Sequence, residues 1–411
     1  MDEPMLLNID RAREVMARHD LDGLVAQLPI NVYYLSGYWG LLMNAQRFDA
    51  AYFAVLPRDE SAPPTLVLPS FELRRLVSEG GTWMPEVIAF TSPDDDAPDG
   101  GDLGRTYDGW PVRPGAPLTE REQAWVQMTR QHRNRVAPDG ITGLLRALAN
   151  AGLTHGRVGT DEVRLPQWLA TRGYTASCRC DANLFNAVRL VKTPAELELL
   201  RKAASINEQA LKVAAGALSE GAQWTEIERA YFTSMALQGG RGSYFICGVG
   251  GLPAGRVRRD EPIMLDALGT YRQYHGDFGR CAIVGEPSDE LRRRHAALVA
   301  GWQAVLEQLR PGARYSELAA TAIEAVRRSG FPEFVYATPH ALGLEHTDDP
   351  KPAGRQPGAQ PDTVLEPDMV LNVDMPYSEI GWGSVHIEDT VRITTTGFEP
   401  LTTQDLGILG A

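Results

Sequence analysis

Five residues in the second half of the chain carry side chains that hold cations: Asp266, Asp277, His340, Asp374 and Glu388. They lie in the segments LDALGTYRQYHGDFGR, TPHALGLEH, LNVDMP and VHIEDTVRIT. Four carboxylates and one imidazole form a donor set for a pair of divalent ions. Such ions prefer oxygen with a little nitrogen, and carboxylates can span both. If the five converge in space, the chain is a dinuclear metalloenzyme.

The elements that would position them fall into two domains, expected over 1–182 and 183–411. In the first, RAREVMARHD has helical spacing, LDGLVAQL reads as a buried strand and NVYYLSGYWG as a strand running into a turn. AAYFAVLP, PTLVLPS and RVGTDEV are further strands, and residues 120–152 are helical after a Pro-, Gly- and Asp-rich loop over 92–119. This is an α/β domain. The second begins at Thr193-Pro194-Ala195-Glu196, a cap residue before Pro with Glu in reach of a capping box, so a long helix follows. Gly-Ala-Gln-Trp-Thr-Glu-Ile at 221–227 recurs 91 residues later as Gly-Ala-Arg-Tyr-Ser-Glu-Leu at 312–318. Each copy follows a helix and precedes strand-like segments, which implies duplicated helix–helix–strand units. Asp266 and Asp277 follow the first pair of helices, and the other three ligands follow the second.

Composition narrows the function. The 411 residues suffice for two or three domains with a buried core, and 43% hydrophobic with 23% charged residues is ordinary for a globular chain. A net charge of −13 argues against nucleic acid or an anionic membrane as main partner. No apolar run reaches the roughly eighteen residues of a membrane span, and the acidic N-terminus does not read as a secretory signal. Cys178, Cys180, Cys247 and Cys281 are few and scattered, as expected of reduced thiols in the cytoplasm. Cys178-x-Cys180 lacks zinc-ribbon spacing.

Taken in order, these segments resemble the creatinase/prolidase/aminopeptidase P family across essentially the whole chain. LDGLVAQLPINVYYLSGY resembles its N-terminal creatinase-like domain and VRLVKTPAELELLRKAA its domain junction. D-x-x-G-x-Y-x-x-Y-x-x-D, H-x-x-G-L-x-H and I-E-D-T-V resemble its metal segments, with the Asp pair 11 apart and Asp374 and Glu388 14 apart. The resemblance implies a pita-bread catalytic domain, pseudo-twofold around a curved antiparallel sheet. It also implies two divalent ions (Mn, Zn, Co or Fe), a homodimer, and hydrolysis of a C–N bond by a metal-bridging hydroxide, as in Xaa-Pro dipeptidases. Asp266 would then bind one ion, Asp277 and Glu388 would bridge, and His340 and Asp374 would complete the second ion. His346 would lie beside the substrate as proton donor or oxyanion stabiliser.

Three departures qualify the peptide substrate. Asp374 stands where the family has Glu, shorter by about 1.5 Å, which opens the alternative of a single ion. The peptidase His in the loop before the first Asp has Ala254 at the matching position, and no His occurs between His155 and His275. His386 replaces an Arg; alternating with Glu388 along a strand, it faces the same way and is a second candidate catalytic residue. The alternatives are a non-peptidase relative: a lyase of the dimethylsulfoniopropionate type, an ectoine hydrolase-like enzyme, or a metal-independent creatinase-like amidinohydrolase. Tyr38, Trp39, Arg47 and Arg256 are candidates for binding a dipeptide or other small substrate, with local packing as the competing role. Glu345, Asp348 and Asp349 read as a solvated loop and Asp389 as structural.

Overall fold

The strand signals of the first half become one mixed sheet in a computed structural model that describes residues 5–45, 52–78, 80–91, 110–248, 254–351, 362–403 and 405–410. Contacts divide the chain into two units, residues 1–188 and 189–411. The first unit holds β1 (Gly23–Ala26), β2 (Phe53–Pro57), β3 (Thr65–Pro69), β4 (Glu86–Phe90), β5 (Val158–Thr160) and β6 (Cys178–Cys180). Their order is β4-β3-β2-β1-β5-β6. The short apolar runs bury both faces, and Leu144, Ala147 and Leu148 of the helix Gly140–Asn150 pack on Val55, Val67 and Ile88.

One segment departs from expectation. Pro29–Ser36 is a helix, not a strand. Pro29 presets its first turn, and Gly37, at φ +75°, ends it. The Asp161 carboxylate at the end of β5 accepts from Gln27 N–H (2.8 Å), Leu28 N–H (3.2 Å) and Asn31 Nδ2 (2.8 Å), anchoring the helix start. Asn31 through Ser36 are all buried, so the segment shows no polar face to betray its period.

The second unit is two copies of one plan. Helices Pro194–Gly216 and Trp224–Leu237 pack on the antiparallel sheet β7 (Arg241–Gly248), β8 (Ile263–Tyr271) and β9 (Tyr274–Ala282). Helices Asp289–Leu306 and Tyr315–Arg328 pack on β10 (Thr338–Ala341), β11 (Val370–Glu379), β12 (Gly383–Ile387), β13 (Thr390–Ile393) and β14 (Phe398–Pro400). Each copy has its own core, around Tyr231 and Phe245 in the first and Trp302 and Leu371 in the second.

The duplication holds bond by bond. Gly221 N–H donates to Val257 O (2.9 Å) and Gly312 N–H to Leu365 O (2.9 Å); Val257 N–H returns to Ala222 O and Leu365 N–H to Ala313 O, both at 2.8 Å. Gly221 and Gly312 sit at φ +82° and +90°. Glu226 and Glu317 reach back to the N–H groups of Gln223 and Arg314, closing the two helix starts alike. The expected box at Thr193 also forms: its N–H donates to Glu196 Oε2 (2.8 Å) and its hydroxyl accepts from Glu196 N–H (3.2 Å).

Among the described residues, no helix is long and apolar enough to cross a membrane.

Candidate metal centre

Strand registers carry the ligands to one place. The β8–β9 turn has Arg272 and Gln273 both at positive φ (47° and 70°), the two-residue geometry that matches strand twist and pins register. In that register Asp266 lies opposite Gly279 and Leu268 opposite Asp277, so the two aspartates share a face on the diagonal. Gly279 also bridges to Glu388, which joins the two halves of the domain. His340 on β10 lies opposite Asn372 on β11, and Thr338 opposite Asp374.

Two clusters of ligand atoms result: Asp277, His340 and His346, and Asp266, His386 and Glu388, each within 4.8 Å. His340 Nε2 is 3.6 Å from Glu388 Oε1 and 3.9 Å from Asp277 Oδ2. These separations are long for hydrogen bonds. They suit donors sharing an ion whose bonds are each about 2.0–2.2 Å. His340 Nδ1 donates to the His346 carbonyl (3.1 Å), which leaves Nε2 as the free lone pair. Asn372 Nδ2 donates to Glu388 Oε1 (3.2 Å) and to the Asp277 carbonyl (3.3 Å), and the Thr390 hydroxyl to the same carbonyl (3.0 Å).

The fit of this site to cations rests on its orphaned atoms. Asp266 Oδ1 and both carboxylate oxygens of Asp277 are buried without a hydrogen-bond partner; the 3.0 Å approach of His346 Nε2 to Asp277 Oδ2 is too bent to make one. Buried anions left in this state are costly unless a positive charge faces them. Burial, together with the Glu388 charge, pushes the Asp266 carboxyl up to about 7, and burial raises Asp277 and Glu388 as well. The imidazoles respond in the opposite sense. Burial works against their charge, yet the Glu388 hydrogen bond and the Asp277 charge lift His340 to about 9. Against the same penalty, the Asp374 carboxylate lifts His386 to about 10. Divalent ions would relieve the same excess of negative charge.

Asp374 belongs to neither cluster. Its Oδ1 contacts His386 Nε2 at 2.7 Å, so the imidazole in place of the family's Arg has captured the short carboxylate. His346 is 41% exposed, against 5% for His340, and its ring lies edge-on to Tyr244. The acidic segment behind it is not solvated as expected. Asp348 is fully buried between Arg189 (2.6 Å) and Lys192 (3.2 Å), and Asp349 accepts from Ala341 N–H (2.7 Å) and the Tyr315 hydroxyl (3.1 Å). Those cations come from the junction segment far back in the chain, which local polarity cannot reveal. Asp389 is buried against Arg280 (2.8 Å) and the Thr402 hydroxyl (2.6 Å). His275 donates its backbone N–H to the Gly343 carbonyl and sets its Nδ1 3.1 Å from it, steadying the loop between His340 and His346.

The candidate substrate residues stand apart from these clusters. Tyr38 is buried with its hydroxyl on Glu72 (2.6 Å), and Trp39 bonds Asn44 (2.8 Å) and packs edge-on to Tyr33; both serve local packing in the first unit. Arg256 donates to the Gly221 carbonyl (2.7 Å), bracing the duplicated turn. Arg47 lies outside the described residues. Reasoning from sequence missed Asn372, Thr390 and Gly279. Each is two residues from a ligand on the same strand face, so the period of two was the signal that could have found them.

With this geometry in view, the comparisons with known proteins fall into place. Residues 198–395 match the metallopeptidase family M24 and residues 8–105 the creatinase/prolidase N-terminal domain. An Xaa-Pro dipeptidase of Pyrococcus furiosus is 28% identical over 54% of this chain and 66% of its own length. An ectoine hydrolase of Halomonas elongata is 26% identical over 54% of this chain and 60% of its own. The chain thus matches less than two thirds of the length of these relatives. The solved Xaa-Pro dipeptidase from Bacillus anthracis shares the fold at a TM-score of 0.71, with 19% identity over 98% of both chains. A creatinase-type N-terminal domain followed by a duplicated, carboxylate-lined catalytic domain defines a class. The chain belongs to the creatinase/prolidase/aminopeptidase P family, which implies a divalent metal cofactor.

Proposed function

We propose that this chain is a dinuclear metal-dependent hydrolase that cuts a C–N bond in a dipeptide or similarly small amide. The observation that carries the reading is the convergence of Asp266, Asp277 and Glu388, buried and with orphaned oxygens, around the free Nε2 of His340. When bound, two divalent ions would supply Lewis acidity, acidifying water and polarising a carbonyl. The protein's own groups do the rest. Asn372 and Thr390 hold the strands of Glu388 and Asp277 in place, so the carboxylates need no reorganisation. His346, partly exposed and with its pKa raised by Asp277 against the cost of burial, retains a proton at Nε2 that it can deliver to a leaving amine. Tyr244 walls one side of that imidazole.

The amide is more secure than the peptide. Ala254 in place of a His in the preceding loop removes a group that peptidases place on the substrate, so a non-peptide amide of the kind an ectoine hydrolase opens is the second reading. Metal content should be measured together with chelator-sensitive turnover of Xaa-Pro dipeptides and small cyclic or linear amides. About two ions per chain with dipeptide turnover supports the first reading; two ions with turnover only of non-peptide amides supports the second. Protein that binds no metal under any loading condition would sink both.

A further inference from the structure

We propose that His386 is itself a metal ligand, serving the ion beside Asp266 and Glu388, and that Asp374 positions this imidazole instead of binding metal directly. The inference rests on the dinuclear reading above and goes beyond it, since neither the family nor the sequence assigns a nitrogen ligand here. Four observations carry it. His386, Asp266 and Glu388 offer ligand atoms within 4.8 Å of one another. The His386 side chain is wholly buried, so no water shares it. Its Nε2 is engaged by the Asp374 carboxylate at 2.7 Å, and because a carboxylate only accepts, Nε2 carries the hydrogen. Its Nδ1 is buried without a partner, the lone pair left for an ion.

The backbone is shaped for the imidazole. Gly279 lies opposite Asp266 in the ladder and bridges to Glu388, so it sits between the two carboxylates. A Cβ at Gly279 would come within 2.3 Å of His386 Cε1 and 2.4 Å of Nδ1. The ring therefore occupies the space a side chain would fill, on the same face as both carboxylates. Asp374, His386 and the ion would form a carboxylate–imidazole–metal chain, an arrangement that fixes tautomer and ring orientation and raises the ligand's basicity. The short reach of Asp374 is then suited to its role. With His340 serving one ion and His386 the other, the pair becomes more symmetric and richer in nitrogen. That favours Zn, Fe or Co over the harder Mn and Mg.

The test compares full-length wild type with His386→Ala, His386→Arg and Asp374→Asn, each stripped of metal and reloaded with Zn or Co. Isothermal titration gives the two affinities, and X-ray absorption counts coordinated imidazoles. The expected result is one imidazole fewer per chain in both His386 variants and at least about 10–100-fold weaker binding of one ion. Asp374→Asn keeps the imidazole count and loses about 10-fold in affinity. Matching far-UV circular dichroism of the metal-free proteins establishes that the variants fold. An unchanged imidazole count, or His386→Arg binding both ions as tightly as wild type, would overturn the proposal, the latter by showing that the position supplies only positive charge. Either result leaves the dinuclear reading standing, whereas wild type that takes up no metal removes both.

Discussion

Gly279 shows how tightly the candidate centre is drawn. A methyl group there would meet the His386 ring at 2.3 Å and Glu388 Cβ at 3.0 Å, with strand backbone on either side. Gly279→Ala is expected to displace His386 and Glu388 and to weaken metal binding by an order of magnitude or more. The metal-free protein should keep its secondary structure. Titration calorimetry beside circular dichroism reads both, and undiminished affinity would show that the ring is not held where the structure puts it. At this scale much was legible. Asp266, Asp277, His340 and Glu388 were found because their spacing follows from hairpin and strand geometry. The partners of His386 were not, since they depend on register between strands that pair across the two halves of the domain. Asp348 and Asp349 were misread because two acids before a proline look solvated, while Arg189 and Lys192 stand more than 150 positions away.

The twin turns make a sharp test at the level of elements. Gly221 and Gly312 have φ +82° and +90°, and a Cβ at either would meet nothing within 4 Å. Alanine there brings backbone strain without a clash, about 1–2 kcal/mol. Gly221→Ala and Gly312→Ala should therefore destabilise by similar amounts in urea unfolding and leave metal affinity unchanged. Strongly unequal losses would argue that the turns are not equivalent. The repeated heptapeptide announced these turns in advance. The helix Pro29–Ser36 was hidden by its uniform burial, and its anchor, Asp161, lies 130 residues on. Burial outweighs three hydrogen bonds and lifts the Asp161 pKa from 3.8 to about 6. A pKa raised on folding favours the protonated group. The contribution is complete below about pH 3.8 and is lost as pH rises through 6, a swing of about 3 kcal/mol. The stability of wild type relative to Asp161→Asn should accordingly fall across that window in unfolding experiments at stepped pH. A relative stability that rises with pH would contradict it.

For the whole molecule, the two units predict two responses to metal. Ions bound by the second unit stabilise it by mass action, with no direct claim on residues 1–188. Chelation should lower the unfolding temperature of the transition carrying the second unit's signal by several degrees. The first unit's transition should hold nearly constant; differential scanning calorimetry with and without metal distinguishes the two. A shift of both by the same amount would mean that they unfold together. The architecture was legible at this scale because the duplicated units, the capped helix at Thr193 and the ordered metal segments agree with one another.

The Gly279–Glu388 bridge joins a half that brings Asp266 and Asp277 to a half that brings His340, His386 and Glu388. An ion held across that seam is a rivet. It cannot leave by shedding ligands one at a time into solvent, because most of them are buried. Its escape waits on the two halves parting, so at high chelator concentration the rate of metal loss should level off at the opening rate of the seam. The off-rate of a small ion would then serve as a clock for a motion of the domain itself.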